Sequence, residues 1–249
     1  MDIEEQRHFF NREVSEWKLS DYISEFKNPT LASKYQQKIF HNFLSPKRGE
    51  NILELGGGFG QWTLPLLALG VNVTVVDISE KSLEICNKLY NTLKTTNGKQ
   101  WGRLRIIITD VNSLNFNESF DKVFCVNLLH HISDPERTVK RMASFVKFNG
   151  FVVCLEPNPF TPLWYIYFKL FKNCWEIEKG IKKTGMKHIY RYFRKAGLSK
   201  IRVERFGIIP LRLLNFSSFL QSLNFRSGQF FPFYMFHIFR GIKLKMTSF

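Results

Sequence analysis

Between Asn51 and Glu156 the chain alternates short apolar runs with stretches whose apolar positions recur every three to four residues. Runs of aliphatic and β-branched residues without polar alternation read as strands covered on both faces, and the intervening periodicity reads as helices packed against them. NILEL (51–55), VNVTVV (71–76), LRIIIT (104–109), KVFCVN (122–127) and FVVCLE (151–156) predict five strands, with helices near 61–69, 80–94 and 135–147. Strand and helix in alternation predict βαβ units on a parallel, doubly wound α/β sheet. The helix at 135–147 carries its own punctuation: Asp134 as N-cap, Pro135 at its first position, and Asn149-Gly150 as its stop.

The flanks are less regular. Residues 3–45 read as two helices parted by Asn28-Pro29, KHIYRYFRKAGL (187–198) as a helix ended by Gly197, and KIRVERFGII (200–209) as a strand. LRLLNFSSFLQSL (211–223) has the pattern of an amphipathic helix and FRGIKLKM (239–246) that of a closing strand. At 249 residues the chain is long enough for one catalytic domain with a large core. The predicted organisation is a helical cap over 1–46, a core over 47–158, and a lid with closing strands over 159–249.

Charge changes the picture of that last part. Residues 1–158 hold 19 Lys and Arg against 18 Asp and Glu, whereas residues 159–249 hold 17 against 3 and carry 21 of the 39 aromatic residues. Basic and aromatic side chains so interleaved suit an anionic surface, whether lipid headgroups or nucleic acid. Within this part TPLWYIYFKLF (161–171) is apolar nearly all round, yet with the next residue it would span roughly 18 Å as a helix against a hydrocarbon core of ~30 Å. It is too short to cross a membrane and is expected to wall or lid an apolar acceptor pocket. The four cysteines, Cys86, Cys125, Cys154 and Cys174, lack CxxC or metal-like spacing and read as buried thiols of a reducing compartment. The acidic start MDIEEQRHFF lacks an export pattern. The expectation is a cytoplasmic protein, peripheral at the inner membrane face where the basic third meets lipid, with no metal site.

The chemistry concentrates in Leu53-Glu54-Leu55-Gly56-Gly57-Gly58-Phe59-Gly60-Gln61, set between a predicted strand and a predicted helix. Glycines there allow a tight turn and the approach of a ligand to main-chain N–H groups. A plain GxGxxG fingerprint would place glycine at position 61, where this chain has Gln61; the spacing is E-x-G-x-G-x-G. Asp77 follows Gly56 by 21 residues at the end of the second strand, where a carboxylate can accept from both hydroxyls of a ribose. Asp110 and Asn127 end the third and fourth strands, so the same sheet edge is marked four times. That pattern describes a nucleoside-binding site.

With these segments in hand, LELGGGFGQ, VTVVDIS, IITDVNSL and FDKVFCVNLLHHISDP resemble the successive motifs of class I S-adenosylmethionine-dependent methyltransferases, in particular the small-molecule group that includes quinone-biosynthesis enzymes. The resemblance covers roughly residues 35–156 and, more loosely, 187–209. It implies a Rossmann-like sheet of seven strands and S-adenosylmethionine as cofactor. By resemblance Gly56, Gly58 and Gly60, with Glu54 before them, pass close to the methionine and ribose parts. Asp77 and the adjoining Ile78 hold the ribose end, Asp110 with Val111 frames the adenine, and Asn127 sits beside the methionine. The reaction implied is in-line displacement at a sulfonium methyl, driven largely by alignment. A base helps where the acceptor is a hydroxyl, an acidic carbon or a protonated amine, and His131, His130 and Glu156 are the candidates.

For the acceptor, the sequence argues mainly by exclusion. Nucleobase amino-methyltransferases carry Asp/Asn-Pro-Pro-aromatic where this chain has Asn127-Leu128-Leu129-His130, and the Pro-Cys dipeptide of cytosine-C5 enzymes is missing. A small or lipophilic, lipid-linked acceptor is the leading expectation. A tRNA or protein methyltransferase steered by the basic third, and a catalytically silent scaffold, are the alternatives.

Overall fold

The computed structural model describes residues 3–15, 18–96, 100–171, 175–207 and 234–245. Helices α1 (Ile3–Ser15), α2 (Leu19–Lys27) and α3 (Leu31–Leu44) precede the sheet. Strands β1 (Asn51–Leu55), β2 (Asn72–Asp77), β3 (Leu104–Ile108), β4 (Phe120–Val126) and β5 (Val146–Pro157) alternate with α4 (Thr63–Ala68), α5 (Glu80–Thr96) and α6 (Pro135–Phe145). After β5 come α7 (Pro162–Ile166), a π-helical turn over Tyr167–Phe171, α8 (Trp175–Glu178), α9 (Met186–Lys195), β6 (Leu198–Phe206) and β7 (Phe236–Lys243). The seven strands form one sheet in the order β3-β2-β1-β4-β5-β7-β6, parallel except for β7, which runs antiparallel between β5 and β6.

The unalternating apolar runs give this sheet its two cores. Ile52, Val73, Phe124, Val153 and Ile238 point to one face, where Tyr22, Phe40, Leu64 and Leu89 from α2 to α5 cover them. Their neighbours Leu53, Val76, Val123, Val152 and Phe239 point to the other, under Val139 and Met142 of α6 and Ile189 and Phe193 of α9. Period-two alternation thus feeds two cores rather than a core and a solvent face, which is why the strands show no regular polar alternation.

Four boundaries depart from the sequence reading. The N-terminal segment holds three helices, not two: Pro29 and Thr30 do begin α3, with the Thr30 hydroxyl accepting from Ser33 N–H at 3.1 Å, but α1 also ends at Ser15 before α2 starts. Helix α6 stops at Phe145 because Val146 already pairs with Phe120, so Asn149-Gly150 lies inside β5 and not at a helix end. Asn149 takes a left-handed φ of 65°, and the β4–β5 register shifts beside it. Strand β6 begins two residues before the expected start, and β7 spans Phe236–Lys243 instead of 239–246. The amphipathic pattern at 211–223 lies outside the described residues.

Candidate functional site

The carboxyl ends of β1 to β4 converge on a cavity of about 660 Å³. The turn after β1 forms because Gly56, Gly58 and Gly60 all adopt left-handed φ angles of 72°, 52° and 92°. Gly56 and Gly57 donate their N–H groups to Val76 O at 2.8 and 3.2 Å, pinning the loop to β2. Gly57 packs where a Cβ would lie 2.0 Å from Val75 Cγ2, whereas a Cβ on Gly58 would meet no atom within 4 Å and would project into open space. The loop is therefore tight behind and open in front.

Asp77 completes this floor. Its Oδ2 accepts from Gly58 N–H and its Oδ1 from Ser79 N–H, both at 2.8 Å, which leaves a further lone pair on each oxygen. Burial pushes its carboxyl above the ordinary value, against the pull of the N–H groups of Ser79, Gly58 and Ile78. Behind it Glu54 is fully buried, hydrogen bonded with the Thr63 hydroxyl, and burial raises it to about 8, so it is protonated near neutrality. At the next strand end Asp110 Oδ1 accepts from the backbone N–H and side-chain amide of Asn112, at 3.0 and 3.2 Å. Asn127 ends β4 with a φ of 52°, the kind of strained backbone that marks ligand sites.

Of the residues singled out in the sequence, Gly56, Gly58, Asp77, Ile78, Asp110, Val111, Asn127 and His131 line the cavity. Glu54, Gly60, His130 and Glu156 stand behind its wall. Glu156 is fully buried; its Oε1 accepts from Leu128 and Leu129 N–H at 3.0 and 2.7 Å, and its Oε2 lies 2.6 Å from His130 Nδ1. His130 reaches the other way through Nε2 to Glu178 Oε2 at 3.1 Å. Burial alone would lower this imidazole, but the two carboxylates outweigh it and hold His130 at about 10. The adjacent His131 is pushed down to about 3 by burial and by the His130 charge, which leaves it neutral. Glu156 and His130 thus help to fix the loop that carries His131.

The sequence reading gave a helical cap over 1–46 but assigned the acceptor-side wall to the aromatic stretch. Among the described residues that wall is α1, through Ile3, Glu4, Gln6 and Phe10, and not the aromatic stretch 161–171. Gln6 donates to His131 O at 3.1 Å, Asn11 accepts from the Ser79 hydroxyl at 2.7 Å, and Phe10 meets the His131 ring edge-on at 5.3 Å. The aromatic stretch instead packs behind α1: Trp164 stacks on Phe168, donates Nε1–H to Met235 O, and shares a small core with Phe9 and Ile181. Glu178 was missed as well, although it is one of only three acids after residue 158. That scarcity is the signal that could have found it.

The geometry fits a nucleoside joined to an amino acid: a left-handed loop with open space over Gly58, a carboxylate with two spare lone pairs, and a second acidic strand end. Comparison with known proteins points the same way. Residues 53–154 match the family model of a methyltransferase domain. The chain is 30% identical over 111 residues to a ubiquinone biosynthesis O-methyltransferase of Albidiferax ferrireducens, covering 45% of this chain and 42% of that protein. It is 28% identical over 179 residues to the enzyme of the same name from Nitrosomonas europaea, covering 69% and 74%. Over the first relatives the match spans only about half of their length. In fold it resembles phosphoethanolamine N-methyltransferase 2 of Haemonchus contortus, solved with S-adenosyl-L-methionine, at a TM-score of 0.63 and 17% identity, covering 96% of this chain and 60% of that one. Sequence and fold therefore agree: residues 53–154 carry a methyltransferase domain, and the chain has the fold of the class I S-adenosylmethionine-dependent methyltransferases.

Proposed function

We propose that the protein transfers a methyl group from S-adenosylmethionine to the hydroxyl of a small, lipophilic acceptor of the quinone-precursor kind. The observation that carries the cofactor half is Asp77, held by Gly58 and Ser79 N–H groups at the cavity floor with one lone pair on each oxygen still free for a ribose hydroxyl. S-adenosylmethionine, when bound, supplies a methyl group made electrophilic by its sulfonium. The chain's part is alignment and exclusion of water. Asp110 and Val111 frame the adenine end, the Gly56–Gly58 turn takes the methionine part, and α1 closes the outer side through Gln6 and Phe10. At the acceptor end His131 lines the cavity and is the residue we expect to meet the acceptor hydroxyl. The O-methyltransferase relatives and the apolar character of the last third support a lipophilic acceptor.

The test is transfer of labelled methyl from S-adenosylmethionine into fractionated cell extract. Label in the solvent-extractable lipid fraction is the expected result. Label confined to tRNA or protein would overturn the acceptor, and calorimetry showing no binding of S-adenosylhomocysteine would leave a silent scaffold.

A further inference from the structure

We propose that His130, His131 and Glu178 form a binding site for a divalent transition-metal ion, zinc by its donor set, on the acceptor side of the cavity. A ring nitrogen of each histidine and a carboxylate oxygen of Glu178 lie within 4.8 Å of one another, close enough for small side-chain rotations to bring all three onto one ion. Two nitrogens and one oxygen are the set found in open zinc sites, where the fourth position takes water or substrate.

What separates this cluster from a chance meeting of polar groups is how the two rings are held. Metal-binding histidines fix one nitrogen by donating its N–H to a carboxylate or backbone carbonyl, which frees the other for the ion. His130 Nδ1 is engaged by Glu156 Oε2 at 2.6 Å, and Glu156 is itself anchored by Leu128 and Leu129 N–H, so Nε2 is the nitrogen turned to Glu178. His131 Nδ1 is buried with no hydrogen-bond partner among the described residues. His130 thus has one nitrogen fixed by Glu156 and the other turned to the proposed co-ligand Glu178, while His131 has Nδ1 to spare. A buried acceptor lone pair without a donor is a cost that a cation removes.

Charge balance adds a second argument. Glu156 and Glu178 set two carboxylates around His130, so an imidazolium leaves one negative charge in excess, while a divalent ion with two neutral imidazoles cancels both. The ion would displace the Nε2 proton of His130 and take its place between ring and Glu178, with the proton released to solvent. Because His131 also lines the cavity, the open position faces it, where the ion could polarise an acceptor oxygen. This role rests on the methyltransferase reading, but the binding itself does not.

The test uses the full chain, stripped with chelator and titrated with Zn²⁺ by calorimetry and with Co²⁺ by its ligand-field absorption. One ion per chain is expected, with a low-symmetry cobalt spectrum. Glu178→Gln and, separately, His131→Gln should each weaken uptake on the order of 100-fold, while Glu136→Gln, a carboxylate of α6 that pairs with Lys140 and Lys195, should not change it. Circular dichroism checks that each variant is folded, and Glu178→Gln, on a short half-exposed helix, is the one least able to disturb the core. Substoichiometric uptake by the wild type, or equal uptake by all the variants, overturns the proposal. Binding of S-adenosylhomocysteine is measured on the same samples, so loss of metal with the cofactor retained is distinguished from failure of the methyltransferase reading.

Discussion

The molecule divides at residue 158 into two regions that solve the recognition problem differently. Before it, near-equal numbers of acids and bases leave the region almost neutral, and the groups that face the cavity are backbone N–H, two aspartates and a strained asparagine held by successive strand ends. After it, the chain is strongly basic and gives the described site one acid, Glu178, delivered from a short helix to a histidine on another loop. A floor made of turns on a rigid sheet is specified locally, within a few residues of each glycine. An acceptor end made of side chains from distant segments depends on how those segments pack.

The comparison can be broken most severely at Asp77. Asp77→Ala removes two expected hydrogen bonds from ribose hydroxyls to a charged acceptor, about 1.5 to 3 kcal/mol each, and also releases Gly58 and Ser79 N–H. Affinity for S-adenosylmethionine and S-adenosylhomocysteine should fall on the order of 10² to 10⁴-fold by calorimetry. A loss below tenfold would mean that the neutral half is not the cofactor site.

Next in size is a pH effect from Glu54. Its carboxyl sits at about 8 in the folded chain because of burial, against an ordinary value near 4.5. The folded state therefore holds a proton that the unfolded state gives up between these values. The contribution to stability is complete below pH 4.5 and lost as pH rises through 8; a gap of that size corresponds to roughly 5 kcal/mol as an upper figure. In urea unfolding at pH 5.5 and pH 8.5, Glu54→Gln should remove most of this slope relative to wild type. An unchanged slope would show that Glu54 stays ionised.

How far the sequence revealed this division follows the same physics. The five parallel strands were legible because strands buried on both faces must be continuous apolar runs, and Gly56, Asp77, Asp110 and Asn127 because each sits at the end of such a run. Helix α1 as the outer wall was not legible: Gln6 and Phe10 act by where the helix docks, and nothing in IEEQRHFF specifies that. The Asn149-Gly150 pair misled because the same dipeptide stops helices and turns strands, and the pairing of Val146 with Phe120 decided between them. His130 and Glu156 were recognisable as important residues, but their pairing was not, since Glu156 lies 26 residues beyond His130 and the second partner of His130, Glu178, lies further still.

On the acceptor side, His131→Gln should lower turnover on the order of 10²-fold while leaving cofactor affinity near wild type, because the groups proposed to hold the cofactor are Asp77 and the glycine loop. Near wild-type turnover would assign catalysis to alignment alone. A smaller effect separates the two sides of the glycine loop. Gly57→Ala drives a Cβ into Val75 and should cost about 1 to 3 kcal/mol of stability. Gly58→Ala has room and should cost about 1 to 2 kcal/mol through its left-handed φ, yet weaken the cofactor more than Gly57→Ala does once the fraction folded is allowed for. Equal effects of the two on affinity would deny that the ligand approaches Gly58.

The smallest effect expected per residue concerns the basic region itself. Among the described residues no helix is long and apolar enough to cross a membrane, but Phe160, Leu163 and Ile166 are 69%, 38% and 46% exposed at spacings of three, and exposed Lys169 continues the series. Lys169 and Lys182 also lie over the Trp175 ring at 5.3 and 5.9 Å, which brings cationic heads to the same aromatic patch. An apolar edge bordered by lysines suits the boundary of an anionic membrane, with the rings in the headgroup layer and the ammonium groups on phosphate. Each lysine contributes about 1 kcal/mol there, and salt screens it within a Debye length. In vesicle flotation, Lys169→Gln, Lys182→Gln and Lys183→Gln together should weaken binding to anionic vesicles on the order of 10² to 10³-fold at low salt and far less at high salt. Phe160→Ser should remove part of the binding that salt leaves intact. Flotation that ignores anionic lipid, the three lysines and Phe160 alike would detach the basic region from membranes, and the neutral and basic halves would then differ in charge without differing in the surfaces they meet.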